Sequence, residues 1–458
     1  MDKISKFFGG SKRVSEKSSN EDAKRLESNK REKRMKESDS PKIFKLDIDC
    51  FDEIFEYLSL EDLHSFGQTC KTMQQVTGQY FKRNYVGAEK FTNEDGIYTV
   101  CSGIEHRTKI SGFNQFINYT SHYHNELGPL QYIQGHGAEF ASINEIYLVC
   151  CEINEATVKS VEKILPKIEV VRVRQCTIVG DYYDKFLKFC GNLKFIYVQD
   201  DVGDIVKERK NPWLQREYPS LETFQLTARN SFKVNDLNSF FERNPSIRTF
   251  LTTSGVLWRH CPELLRSNAK LDTLEIYDGH QVLSITMQTF CNLLNQLHER
   301  GFYKRLRLNV TGPNQECGEQ FASLQALESI SIMHFSERCG LSRLINLKEL
   351  TIYDGFNPFD MEILAKNLVN LTRISLNKAK LDDILPFIQL SGKLNKIHAS
   401  FTENILDLQR LNEERMKLVG GRKVVIYVPD DVFLATKWCT KNGDTNLKYI
   451  EMKRSTSA

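Results

Sequence analysis

From Ile143 onward the sequence repeats itself, and this repetition restricts the fold more than any other feature of the chain. The unit is an apolar residue, two variable residues, an apolar residue, one variable residue and a third apolar residue. It occurs at Ile143/Ile146/Leu148, Ile168/Val171/Val173, Leu193/Ile196/Val198, Leu221/Phe224/Leu226, Leu271/Leu274/Ile276, Leu327/Ile330/Ile332, Leu347/Leu350/Ile352 and Leu371/Ile374/Leu376. Weaker copies begin at Ile247, Tyr303, Leu394 and Lys423, and Leu447/Ile450/Met452 ends the set. The starts lie roughly 20 to 28 residues apart, with longer gaps before Tyr303 and Lys423. Alternation at the second and third apolar positions predicts a short strand in each unit. Between strands, Val158, Val161, Ile164 and Leu165 form one helical stripe, and Phe290, Leu293, Leu294 and Leu297 form another. Pro358 and Asp360 open a further helix carrying Met361, Leu364 and Leu368. A unit this small cannot bury its apolar face alone, so the units must stack on one another.

The copies resemble leucine-rich repeats. Cys151 and Cys176 fall eight positions after their repeat starts and are followed two residues later by Ile153 and Ile178, as in the cysteine-containing subclass. Leu271–Gly279 and Leu347–Gly355 are near copies, with the glycine serving a turn. The resemblance implies an α/β fold over 143–458: a curved solenoid with a parallel sheet on the concave side and helices on the convex side. A doubly wound α/β enzyme would need longer units and a Gly-rich phosphate turn after a strand, and neither occurs.

Within residues 41–86, the stretch from Leu46 to Val76 shows helical spacing in two runs. The first holds Cys50, Phe51, Ile54, Phe55 and Leu58, and the second holds Leu63, Phe66 and Cys70. Ser59, with Asp62 three residues on, predicts an N-cap for the second run. A piece of about 40 residues holds little core of its own and needs a partner or a neighbouring domain to cover it. Leu46, Asp49, Cys50, Ile54, Phe55, Tyr57, Leu58, Asp62, Leu63 and Cys70-Lys71 resemble the F-box, which attaches substrate receptors to the Skp-family adaptor of cullin-RING ubiquitin ligases. The resemblance assigns adaptor contact to Leu46, Asp49, Cys50, Ile54, Phe55, Leu58, Leu63 and Cys70, with Leu63 and Cys70 also serving local packing. Asp47 stands where the family usually has proline; a preset backbone angle is missing there, and adaptor affinity is the property it bears on.

Residues 1–40 are rich in Lys, Arg, Glu and Ser, the composition of a disordered charged tail. Its basic clusters, Lys24-Arg25 and Lys30 to Lys36, are of the kind read by nuclear import receptors. Ile4, Phe7 and Phe8 have the spacing of the box that docks on the replication sliding clamp, which they resemble, although Met1 occupies the position of its usual Gln. Residues 87–142 break into Gly-marked pieces and read as a linking or capping region. With a lysine-rich, polar start and no run of about 18 apolar residues, the expected location is nucleus or cytoplasm, away from membranes.

The twelve cysteines show no Cys-x-x-Cys pairing, and His122-Tyr-His124 with His136 lacks acidic or Cys partners at ligand spacing, so no metal site is expected. No phosphate-binding, nucleophile-elbow or zinc-protease motif occurs, so neither a cofactor nor catalytic residues are expected. The variable strand positions that alternate with the buried ones are the expected substrate-binding face: Arg172, Arg174, Tyr197, Tyr277, Arg305, Arg307, Tyr353, Arg373 and Lys396. Together these features point to a substrate-recognition subunit of an SCF-type ubiquitin ligase that marks proteins for proteasomal degradation. The competing expectation is a nuclear scaffold or chromatin-associated binder using the basic tail and the arginine-bearing face. A formal net charge of +3 gives nucleic-acid binding little support.

Overall fold

The computed structural model describes residues 43, 46–93, 96–101, 104–106, 110–123, 142–199, 212–227, 234–278, 286–313, 315–335 and 340–455. The charged tail, the Ile4/Phe7/Phe8 box, His124, His136 and Gly279 lie outside these residues. The chain divides into two units, residues 1–54 and residues 55–458.

In the first unit the described residues start helix α1, Ile48–Phe55. Asp47 caps it: its Oδ1 accepts from the Cys50 N–H at 2.9 Å, and its carbonyl accepts from Phe51 N–H at 3.2 Å.

The second unit begins with helices α2, Leu60–Gly67, and α3, Lys71–Asn84. Ser59 caps α2 by accepting from Asp62 N–H at 3.1 Å, as the spacing predicts. Cys70 caps α3, its Sγ taking the Met73 N–H. Phe55 packs edge-on against Phe66 and Tyr80, and Phe81 stacks on Phe113 with ring centroids 4.6 Å apart.

Among the described residues a sheet of 17 strands follows. Its first part has no counterpart in the repeat pattern. Glu89–Asn93 pairs antiparallel with Gly96–Cys101, which pairs antiparallel with Ile104–His106; on its other side Glu89–Asn93 runs parallel to Tyr119–Tyr123. Every later strand is parallel to the one before it: Glu145–Val149, Val170–Arg174, Phe195–Gln199, Thr223–Leu226, Thr249–Thr253, Leu271–Asp278, Tyr303–Val310, Leu327–Ile332, Glu349–Ile352, Arg373–Ala379, Lys396–Phe401, Val424–Val428 and Ile450–Arg454. Each apolar triplet from Ile143 onward thus supplies one strand. The triplet side chains enter one continuous core, with Ile146, Leu148, Ile196, Leu274, Ile330, Ile374 and Ile397 almost fully buried. Connecting segments pack beside one another behind the sheet, as with helices Pro358–Asn367, Leu381–Leu390 and Leu408–Lys417.

Two local devices make the stacking work. After Glu145–Val149 and Val170–Arg174 the chain turns through left-handed Cys150 (φ 54°) and Gln175 (φ 52°), and the next residue, Cys151 or Cys176, is buried in the turn. Cys151 N–H donates to Cys176 Sγ at 3.4 Å, so a thiol of one unit satisfies the backbone of its neighbour. Arg415 is fully buried and donates to five backbone carbonyls, those of Ile388, Ser391, Gly392, Leu394 and Arg422. It therefore satisfies carbonyls at the end of the preceding helix, while burial lowers its pKa to about 10.

The last strand is tied to residues 56–85. Arg454 is nearly buried, donating to Tyr85 Oη at 2.6 Å and to the carbonyls of Glu56 and Leu58, and forming an ion pair with Asp430 at 2.8 Å. Burial opposes its charge, but Tyr85 and Asp430 outweigh that opposition and hold its pKa above the usual value. Beside it, buried Lys437 contacts Glu56 at 2.5 Å and lies 4.3 Å from the Tyr57 ring centroid. Replacing Arg454 with Met leaves the carbonyls of Glu56 and Leu58 without this donor and Asp430 without its cation, with only the Tyr85 hydroxyl still donating to it. The expected loss is about 3–5 kcal/mol of unfolding free energy in urea titrations followed by far-ultraviolet circular dichroism. Lys at this position should recover less than half, having no planar fork to reach all four acceptors.

Candidate functional site

Two regions of the chain carry the sequence-based site residues. In the helical region, Leu46 and Ile54 are each 37% exposed, and Asp49 and Cys50 are also exposed. Leu58 and Cys70 are half-buried, the latter engaged as the α3 cap. Phe55 and Leu63 were expected to touch an adaptor, but both are 0% exposed. Phe55 packs against aromatic rings of its own unit, so it supports the helices rather than presenting a side chain. Asp47, where a proline was expected, compensates for the missing ring with a side-chain cap. The Cys50 N–H holds its carboxyl below the ordinary carboxylate value.

The second region is the solvent-side face of the sheet. Register aligns Tyr147, Arg172, Tyr197, Gln225, Leu251, Glu275, Arg307, Ser329, Glu349, Arg373 and Lys396 in one row across successive strands. A second row runs Tyr277, Asn309, Ser331, Thr351, Ser375, His398, Tyr427. The expected face residues thus share one side, with Tyr353 just past the end of its strand.

The face is less basic than the sequence count suggests, because acids on neighbouring strands lie within reach of its bases. Arg172 Nε donates to Glu145 at 2.7 Å and lies 4.7 Å from the Phe195 ring centroid, and Arg307 sits 3.5 Å from Glu349. Tyr197 is only 9% exposed, its hydroxyl donating to Gln199. Arg305 and Lys396 have no ion-pair partner among the described residues. Arg373 donates instead to His398 Nε2 at 3.1 Å, and the His398 ring stacks on Tyr427 at 4.4 Å. A hollow of about 200 Å³ opens between Glu275 and Ser375, and a second of about 510 Å³ between Thr351 and Ser455. Tyr427, Ser375 and Asn377 line the second hollow and escaped the sequence reading. They belong to the same alternating face, but as single polar residues they carry no signal until register groups them.

Among the described residues no cluster of three or more His, Cys, Asp or Glu has the arrangement to hold a metal ion, and no helix is long and apolar enough to cross a membrane.

Comparison with known families identifies the helical region. The F-box domain model matches residues 43–84, which supports an F-box protein and with it a role in binding a Skp-family adaptor within SCF-type cullin-RING ligase complexes. No curated protein matches the chain significantly.

Two measurements check the local chemistry. Asp47→Ala should fray the first turn of α1 and speed Cys50 amide hydrogen exchange several-fold, and Asp47→Asn should restore it. Burial holds His122 protonated only below about 3, and burial with the Arg373 and Lys396 charges holds His398 at about 4. Both folded values lie below that of a free imidazole, so the unfolded chain takes up protons first. Their contribution is present above pH 6.5 and is lost as pH falls toward 4. Urea midpoints measured from pH 7.5 to 4.5 should fall with acidification, and His398→Phe should flatten part of that fall.

Proposed function

We propose that this chain is the substrate-recognition subunit of an SCF-type ubiquitin ligase. The F-box match at residues 43–84 carries the reading. We read the units from Ile143 to Met452 as leucine-rich repeats forming the substrate-binding part. Support comes from one strand per repeat, the buried Cys151 and Cys176 turns, and a polar sheet face left open to solvent. Leu46, Asp49, Cys50, Ile54 and Leu58 contact the adaptor, while Phe55 and Leu63 hold the helices that carry them. The protein is a receptor without catalysis of its own: the assembled ligase supplies the chemistry, and the receptor supplies proximity between the bound protein and the ubiquitin-loaded enzyme. Its place of action on this reading is the nucleus or cytoplasm, and the outcome for the bound protein is proteasomal degradation.

The reading is tested by capturing a purified Skp-family adaptor on the immobilised full chain. Wild type should retain it, and the double substitution Ile54→Asp, Leu58→Asp should lower retention at least tenfold with circular dichroism unchanged. Failure of the wild-type chain to retain any such adaptor overturns the ligase role. Salt-sensitive DNA binding in its place would favour the scaffold alternative.

A further inference from the structure

Arg373 stands between the two hollows of the sheet face, lining both. The smaller is internally balanced, since it contains Glu275 and the Arg307–Glu349 pair. Among the described residues, none that lines the larger, of about 510 Å³, carries a carboxylate. It offers the Arg373 guanidinium, the His398 ring, and the hydroxyls of Thr351, Ser375, Ser400 and Tyr427.

The contact between Arg373 and His398 has a chemical consequence. A guanidinium has donors and no acceptor, so the 3.1 Å contact requires a bare lone pair on His398 Nε2, with the ring proton on Nδ1. Beside Ser375, its register partner, three titratable groups among the described residues face His398: Arg373 from one neighbouring strand, Lys396 from its own, and Tyr427 from the other neighbour. Two are cations and none is an acid. Protonation would therefore break the hydrogen bond and set two cations against each other. The hollow is built with donors and positive charge and lacks a negative counterpart.

Deepening the substrate-receptor reading, on which it rests, we propose that this hollow seats a phosphoserine or phosphothreonine side chain of an extended protein segment. Arg373 turns one edge of its fork to the phosphate oxygens, and as pH falls His398 takes a proton from solvent on Nε2 and becomes a second cationic donor, more readily with phosphate bound than without it. No covalent bond forms or breaks. A protein segment fits better than a small anion because Arg373 joins this hollow to the smaller one. The alternating charges of Glu275, Arg307 and Glu349 there suit flanking residues of a chain lying across the strands.

The test uses the full chain labelled with ¹³C at histidine Cε1 and titrated with the peptide acetyl-Gly-Gly-phosphoserine-Gly-Gly-amide at millimolar concentration. The His398 resonance is assigned by loss in His398→Gln. The phosphopeptide should raise the His398 midpoint by about one unit, equivalent to roughly tenfold tighter binding to the protonated ring. The unphosphorylated peptide should leave it in place, and Arg373→Gln and Ser375→Glu, each checked for fold by circular dichroism, should both abolish the response. An unmoved His398, or a response that survives Arg373→Gln, overturns the proposal. Inorganic phosphate matching or exceeding the phosphopeptide overturns the assignment to a protein segment. Adaptor capture run on the same preparations separates the two ideas: a chain that binds phosphopeptide without adaptor fails the ligase reading alone, and the reverse fails this proposal alone.

Discussion

The contact of Arg454 with Tyr85, Asp430 and the carbonyls of Glu56 and Leu58 answers a problem that every stacked array faces. Each unit buries its apolar face only against neighbours, so the first and last are left with bare faces and an unpaired strand edge. In residues 55–458 the same short helices serve both ends. Phe81 and His64 pack on Phe113, in the turn that leads into the strand Tyr119–Tyr123, while Glu56, Leu58 and Tyr85 receive the guanidinium of the last strand. The last edge is further used up by the chain itself, since Met452 N–H donates to the Thr445 carbonyl and Leu447 N–H to that of Ile450. Arg454 suits this place because its fork can satisfy four acceptors at once in a setting where an unpaired carbonyl would be costly.

Register then decides what the sheet face can do. Parallel strands in constant register turn one position in each repeat into a row across the sheet. Where Glu145 meets Arg172, or Glu349 meets Arg307, charges cancel in place and the surface is polar but satisfied. From Arg373 onward the pattern changes, because the next positions are Lys396 and His398. Neutral His398 is the form such a neighbourhood tolerates, as burial and two cations both oppose its proton. The face is therefore divided into a compensated stretch and a cationic one, a division invisible in net charge.

How much of this is legible in the sequence depends on whether the cause is local. The strands from Ile143 onward are legible because the same apolar spacing recurs within each unit, although the units differ in length. The Ser59 cap and the helix opening at Pro358 lie at boundaries that short-range spacing marks. The strands between Glu89 and Tyr123 are not legible. In Tyr119–Tyr123 the buried positions include Thr120, Ser121 and His122, polar residues that hide the alternation. Asp47 is legible only in part: the absent proline removes a preset backbone angle and bears on adaptor affinity, whereas the cap that the aspartate supplies to Cys50 shows only in the folded chain. Arg454, Asp430 and Tyr85 escape altogether, since nothing near any of them in the chain indicates the others.

The last strand also connects the two activities proposed for this protein. Arg454 faces Tyr85 and Asp430, and the next residue, Ser455, lines the larger hollow together with Tyr427 and Pro429. Ser455 N–H donates to the Val428 carbonyl, fixing this end of the strand to its neighbour. Arg454, which ends the strand, and Ser455, just past it, thus reach residues 56–85 on one side and the solvent-side face of the sheet on the other. Proximity catalysis rewards such stiffness, because a receptor that lets its cargo wander gives up the effective concentration that binding supplied. Within residues 55–458 the buried ion pair and its carbonyl contacts tie residues 56–85 to the closing strand, which gives a structural reason for placing a costly buried arginine there.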